Sequence, residues 1–285
     1  MQCVKIRKLQ HSDVLNLLPD RDPWAHKGDF GKILLLCGSK GYTGAAYLAA
    51  MGALRAGAGL VFLGVPESIY AIEAVKLNEA IVFSLPDEHG KLSKDGLTEI
   101  LDRLQKVDAV LIGCGLGQSK DIETIVKEVL IHAACPVVLD ADGINVMVQH
   151  MDIVRGRKYP TILTPHDGEF KRFAGELGLD RMESAGKAAL QNNCIVLLKG
   201  HETCITDGSA YYLNDTGNPG MAVGGSGDLL AGMIVGLLGQ GIAPLDAAAC
   251  GAYLHGAAGD LCAVQLGQYA MLPTVMLSTL PRLLK

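Results

Sequence analysis

Gly224, Gly225, Ser226 and Gly227 run without a break into Asp228 and the apolar stretch Leu229-Leu230-Ala231. Glycines leading straight into an apolar helix leave backbone N–H groups free at its start. Those amides, together with the helix dipole, attract anions. Without side chains, phosphate oxygens can approach the main chain. Asp228 in the first turn also suits a helix start, but capping alone accounts for neither the three glycines nor the serine. A carboxylate beside a bound phosphate is placed to take a proton from an attacking hydroxyl, as the catalytic Asp does in phosphoryl transfer. Asp228 is therefore the candidate base, and the amides from Gly224 to Gly227 are the candidate phosphate cradle.

Other polar or glycine-rich segments follow apolar runs. Gly38-Ser39-Lys40-Gly41-Tyr42-Thr43-Gly44-Ala45-Ala46, Gly113-Cys114-Gly115-Leu116-Gly117 and Thr164-Pro165-His166-Asp167-Gly168-Glu169-Phe170 are three such loops. Each reads either as tight-turn geometry or as a ligand loop at a strand's carboxyl end, where open α/β sheets bind. Asp140-Ala141-Asp142 could hold Mg²⁺ through water, or supply a helix N-cap. His166, between Pro165 and Asp167, is either structural or turned to the cleft. Lys199-Gly200-His201-Glu202-Thr203 could contact a nucleotide; for Lys199 the alternative is a solvated edge charge. No Gly-Lys pair precedes Ser or Thr, and no G-x-G-x-x-G, H-E-x-x-H or G-x-S-x-G occurs. The usual nucleotide fingerprints, zincin site and nucleophile elbow are therefore absent.

The elements that must carry these loops alternate. Apolar runs at 32–37, 60–65, 81–84, 109–112, 136–139, 161–163 and 194–198 read as strands. Helical spacing between them, as at 44–56, 97–104 and 120–132, indicates βαβ units around a mostly parallel sheet. Residues 203–206 and 210–213 flank Asp207-Gly208 and read as a hairpin. Two small-residue helices are expected over 227–239 and 245–264. No linker, charge run or repeat divides the chain, so residues 1–285 are expected to form one domain. Residues 1–25, polar with Pro19 and Pro23, would be an arm wrapping the surface or a neighbouring subunit.

Composition narrows the class. Of 285 residues, 49% are hydrophobic and 19% charged, which suits a sizeable core. A net charge of −5 without a basic run argues against nucleic acid. Eight cysteines form no C-x-x-C pair and several lie in apolar runs, so buried free thiols in a reducing cytoplasm are expected. No signal-like segment opens the chain, and 229–238, the longest apolar run, is too short to span a bilayer.

Read in order, these motifs resemble the ADP-dependent NAD(P)H-hydrate dehydratases of the ribokinase-like superfamily. The resemblance rests on His26-Lys27-Gly28-Asp29-Phe30-Gly31-Lys32, Gly41-Tyr42-Thr43-Gly44-Ala45-Ala46, the 113–117 loop and Leu139-Asp140-Ala141-Asp142. Leu163-Thr164-Pro165-His166, Gly168-Glu169-Phe170 and Leu198-Lys199-Gly200 extend it. So do Thr216-Gly217-Asn218-Pro219-Gly220-Met221-Ala222 and the glycine loop. It implies a three-layer sandwich with helices on both faces of the sheet. It also implies a repair reaction: the hydroxyl of hydrated NADH or NADPH is phosphorylated from ADP and phosphate is then eliminated. By the same carry-over, Ala45, Gly115, His166 and Asp228 meet the hydrated dinucleotide. Lys199, Gly200, His201, Glu202, Thr203, Gly225, Ser226 and Gly227 meet the adenine nucleotide. Glu169, the acid of an H-x-x-E counterpart to the superfamily's N-x-x-E loop, joins a Mg²⁺ network through water.

The sequence departs from the family pattern at Asp167, Val223, Ser226, Asn78 and Pro273-Thr274, none of which removes a predicted catalytic group. Many members carry an epimerase domain, for which this chain is too short. A single epimer, the S form, is then the expected substrate, with a separate epimerase upstream. A homo-oligomer, possibly a tetramer, is expected from the Gly/Ala helix faces. ATP is a possible alternative donor. Two other readings share the glycine loop: an ATP-dependent kinase for a small alcohol such as a thiazole or vitamin precursor, and a non-catalytic nucleotide sensor.

Overall fold

In the computed structural model, which describes residues 6–284, the chain builds one ten-stranded sheet. Its strands are β1 (Ile6–Arg7), β2 (Lys32–Leu36), β3 (Leu60–Pro66) and β4 (Ile81–Leu85), then, after a separate small hairpin of β5 (Asp87–Glu88) and β6 (Lys91–Leu92), β7 (Ala109–Ile112), β8 (Val137–Leu139), β9 (Thr161–Leu163), β10 (Ile195–Leu198), β11 (Thr203–Thr206) and β12 (Tyr211–Asn214). The spatial order is β1-β12-β11-β10-β9-β8-β7-β2-β3-β4. From β4 to β10 every pair is parallel; β11 is antiparallel to both its neighbours, the Asp207-Gly208 turn reversing the chain between β11 and β12.

Alternate residues of each strand face opposite helix layers, as the period of two dictates. Ile33, Leu35 and Leu111 pack with α1 (His11–Leu17), α2 (Thr43–Arg55), α3 (Glu67–Lys76), and later with α10 (Ser226–Gly239), α11 (Pro244–Leu266) and α12 (Pro273–Thr279). Leu34, Leu36 and Ile112 pack with α4 (Leu97–Leu104), α5 (Lys120–His132), α6 (Asp142–Met147), α7 (Met151–Gly156), α8 (Asp167–Ala174) and α9 (Arg181–Asn192). The result is the expected three-layer sandwich. Among the described residues no helix is long and apolar enough to cross a membrane. Cys37, Cys114, Cys135, Cys194, Cys204, Cys250 and Cys262 are free and buried, as expected; Cys3 lies outside the described residues.

Strand order reverses between β2 and β7. Chain direction runs β2-β3-β4 to one side and β7-β8-β9-β10 to the other, leaving a crevice at the carboxyl ends between the two. Register lines these ends up: Leu36 pairs with Ile112, Ile112 with Leu139 and Leu139 with Leu163. The next residues, Cys37, Gly113, Asp140 and Thr164, therefore stand side by side at the crevice.

The small residues of α2 and α10 bring these helices together. A Cβ on Gly232 would lie 2.1 Å from the Ala49 carbonyl oxygen, one on Gly52 2.6 Å from that of Leu229, and one on Gly236 2.6 Å from that of Ala53. Backbone thus meets backbone, and the glycine loop opening α10 arrives at the start of α2. The Gly/Ala faces expected to meet a partner subunit are spent here, inside the chain. The N-terminal arm also lies on its own body: β1 joins β12, Val14 of α1 is fully buried, and the His11 ring hydrogen-bonds the Leu283 carbonyl at 2.8 Å. Residues 1–5 of the arm lie outside the described residues.

Candidate active site

The glycine loop is anchored from behind. Asp260 of α11 accepts from the Gly217 amide at 2.9 Å and from Asn218 Nδ2 at 2.9 Å, and Asn218 in turn caps the turn at Pro219–Met221. The chain then enters α10 through Gly225 at φ +93°, a left-handed conformation that favours glycine. Among the described residues, the Gly227 and Asp228 amides find no acceptor. Gly224 has open space on its Cβ side, and Gly227 has only the Lys199 ammonium nearby, 3.4 Å from a would-be Cβ. Free amides, a helix N-terminus and an adjacent cation make the anion-binding arrangement expected for this loop.

Asp228 projects from the first turn of α10 toward Asp140 at the end of β8. The nearest acid oxygens of Asp140 and Asp228 and the Cys114 sulfur all lie within 4.8 Å of one another. Burial first, and then the Asp140 charge, push the Asp228 carboxyl up to about 6; Cys114 and Lys199 pull the other way. A carboxylate with that value is ionised at neutral pH yet basic enough to hold a proton.

Lys199 is not a solvated edge charge. Its side chain is 23% exposed, and the ammonium sits 3.2 Å from Asp140 Oδ1 and 3.8 Å from Glu169 Oε2. Burial would lower this group, but the Asp140 and Glu169 charges outweigh it and hold Lys199 above the ordinary lysine value. Asp140 also accepts from the Thr164 hydroxyl at 2.6 Å. Its carboxylate does not cap α6, where Ala141 is the cap residue and no side chain caps. Asp142 does not cap either: it accepts from the Gly117 amide at 2.8 Å and so ties down the 113–117 loop. The two carboxylates expected to share Mg²⁺ are thus engaged separately, by an ammonium and hydroxyl on one side and a loop amide on the other. Between them Ala141 takes φ +49°, a conformation that costs a non-glycine residue about 1–3 kcal/mol.

Ala45 and Gly115 do come together. A Cβ on Gly115 (φ +63°) would lie 2.7 Å from the Ala45 Cβ, so the loops after β2 and β7 touch at the crevice. Ser39 Oγ donates to the Gly115 carbonyl at 2.7 Å and locks that contact. His166 caps α8: its Nδ1 accepts from the Gly168 amide at 2.9 Å. With Nδ1 an acceptor, the ring proton belongs on Nε2, 3.4 Å from Glu169 Oε1. The ring is nonetheless 56% exposed, so it is both structural and turned outward. Glu169 is buried, with Oε2 also accepting from the His166 amide at 2.9 Å.

Gly200 packs against Arg181, whose guanidinium bonds the Lys199 carbonyl at 2.9 Å and Asp167 at 2.7 Å. Thr203 donates to the Gly200 carbonyl at 3.2 Å, while His201 and Glu202 are exposed and make no ion pair or hydrogen bond among the described residues. Asp167, a departure from the family pattern, thus holds Arg181. Cys114 and Thr164 belong to the expected loops without an expected role of their own, and His255 is new to the site. His255 of α11 is buried and held neutral, its value lowered to about 4 by burial, with Nε2 3.3 Å from Ser226 Oγ. The signal for Cys114 and Thr164 is their place just past an apolar strand run; for His255, some 30 residues from Ser226 in sequence, there is none.

A family described as NAD(P)H-hydrate dehydratase matches residues 33–282. The bifunctional NAD(P)H-hydrate repair enzyme of Moorella thermoacetica is 46% identical over 275 residues, covering 94% of this chain and 52% of that protein. The chain spans about half the length of several of the curated relatives it matches. A crystal structure of the ADP/ATP-dependent NAD(P)H-hydrate dehydratase from Bacillus subtilis, grown with ATP/Mg²⁺, aligns with TM-score 0.83 and 35% identity, covering 96% of each chain. A ribokinase-like superfamily protein from Enterococcus faecalis aligns with TM-score 0.86 and 26% identity over 98% of this chain and 95% of that one.

Proposed function

The chain belongs to the NAD(P)H-hydrate dehydratase family, and on the geometry of its site we propose that it uses ADP to dehydrate the S epimer of hydrated NADH or NADPH. The observation that carries the reading is the meeting of a glycine loop suited to an anion with a raised, half-buried carboxylate, Asp228, and a paired ammonium, Lys199. In the first step the ring hydroxyl gives its proton to Asp228, its oxygen bonds the β-phosphorus, and AMP leaves. In the second the ring C–O bond breaks, phosphate departs with the electron pair, and loss of a proton from the neighbouring carbon restores the double bond. Hydroxide is a poor leaving group and phosphate a good one, which is why a nucleotide is spent. The Gly225, Ser226 and Gly227 segment and Lys199 meet the growing charge on the phosphoryl group. Ala45, Gly115 and His166, around the crevice, receive the dinucleotide; Gly200, His201, Glu202 and Thr203 receive the adenine nucleotide.

Mg²⁺ fits this site only at a distance. Both Glu169 oxygens already face donors of His166, with Lys199 beside them, so Glu169 would reach a phosphate-bound ion through water. Bound there, the ion would neutralise phosphate charge. ATP as an alternative donor, a cytoplasmic location, one domain over 1–285 and a separate upstream epimerase complete the proposal. A homo-oligomer draws no support from the Gly/Ala faces, and solution scattering decides it. Incubation with hydrated NADH and ADP tests the activity. Return of reduced-nicotinamide absorbance with release of AMP and free phosphate is expected. A stable phosphorylated alcohol would instead identify a kinase, and nucleotide binding without turnover a sensor.

A further inference from the structure

Cys114 is the second residue past β7, with its carbonyl accepting from the Gly38 amide at 2.8 Å. Gly113, at φ +135°, lets the chain turn there against the Asp140 carbonyl, where a Cβ would lie 1.9 Å from that oxygen. The turn drives the buried Cys114 sulfur to 3.5 Å from Asp140 Oδ2. The other Asp140 oxygen, Oδ1, is taken by Thr164 and Lys199. Asp228 completes the same cluster, within the 4.8 Å span. We propose that Cys114 is a positioning residue for the proposed reaction: its S–H, given to Asp140 beside Asp228, takes up charge that Asp140 would otherwise turn on Asp228, and so keeps Asp228 available as the proton acceptor. The inference rests on the reading of Asp228 as base.

The neighbourhood assigns the thiol this part. The charged groups facing Asp228 are Asp140 and Asp142 after β8 and Lys199 after β10. Glu169 of α8 acts on Asp228 only through Lys199, and His255 of α11 is neutral and turned to Ser226. Cys37, after β2, reaches Cys114 rather than the acids; its contact and burial keep the Cys114 thiol protonated. The thiol is thus a neutral donor set beside two acids. Its hydrogen bond goes to Asp140 Oδ2, where it draws down the charge that Asp140 turns on Asp228 and so favours the ionised form of Asp228. A thiol is a weak donor, so its removal is felt as a modest shift rather than a collapse.

The test is the pH dependence of kcat/KM for wild type, Cys114→Ala and Cys114→Ser, with thermal melting of each. Cys114→Ala should move the acidic limb upward by about half a unit or more, and Cys114→Ser, which restores an O–H donor, should return it toward wild type. If Cys114→Ala does not fold, Cys114→Val supplies a donor-free side chain of similar bulk. An acidic limb unmoved in the donor-free variant, or a loss of activity equal at every pH, would overturn the inference while leaving Asp228 as base. A wild type with no acidic limb would remove the base itself.

Discussion

Lys199 Nζ lies 3.2 Å from Asp140 Oδ1, and this ion pair stands between the proposed base and the proposed nucleotide site. The same ammonium neighbours Glu169 and Gly227. It therefore lowers the charge that Asp140 presents to Asp228 while offering a cation to the glycine loop. Lys199→Met would leave two buried carboxylates without their cation. A loss of about 3–5 kcal/mol in unfolding free energy is expected, from the cost of breaking a buried pair. ADP affinity should fall as well. Denaturant unfolding and calorimetry measure the two; a variant equal to wild type in both would show that the pair matters to neither.

Acidification should silence the enzyme early. Asp228 accepts a proton only when ionised, and its value stands at about 6 rather than the ordinary 3.8. Activity in kcat/KM should hold above that point and fall about tenfold per unit below it. A profile flat down to pH 5 would contradict the raised value.

His166 does two jobs that can be separated. His166→Ala removes the α8 cap, at about 0.5–2 kcal/mol, and frees Glu169. His166→Asn keeps a capping oxygen and so should keep most of the stability. If the exposed ring face meets the dinucleotide, both variants should weaken binding of hydrated NADH more than that of ADP. A drop in melting temperature alone, restored by Asn, would leave the ring only structural.

Gly232→Ala tests the scaffold. Its Cβ would fall 2.1 Å from the Ala49 carbonyl oxygen, and neither helix backbone can yield cheaply. The change should cost about 3 kcal/mol or more, at the upper end for overpacking or beyond it. It should also lower kcat, because α10 carries Asp228. A stable variant of unchanged activity would show that the helices separate freely.

Much of this arrangement was legible in the sequence. Apolar runs marked β2–β4 and β7–β10 to within a residue or two, because buried parallel strands are continuous in character. Lys120–His132 emerged with its expected bounds, its Ser119 cap and amphipathic spacing being local signals. Glycine followed by an apolar run located the start of α10. What the sequence hid was partnership across strands. Asp140 looked like a cap or a metal ligand, since only the register of β7 to β10 places it against Cys114 and Lys199, and only the packing of α10 brings Asp228 to it. For the same reason Lys199 could be read as a nucleotide contact or a solvated charge, but not as the partner of Asp140. The Gly/Ala faces suggested another subunit, because composition reveals that helices pack closely but not which helix they meet.

The central claim is that Asp228 is the base. Asp228→Asn keeps the size and removes proton acceptance, a group effect typically worth about 10²–10⁴-fold. The fold should survive. A carboxyl raised in the folded state contributes stability below its unfolded value, and that contribution is lost as pH rises through about 6. At neutral pH the ionised Asp228 is therefore a burden that Asn relieves, and the melting temperature should not fall. The decisive measurement is turnover of hydrated NADH with ADP by wild type and Asp228→Asn, with ADP binding followed by calorimetry. A loss of at least about 10²-fold in kcat is expected, with ADP affinity changed only a fewfold. Turnover by the variant within a fewfold of wild type would contradict it.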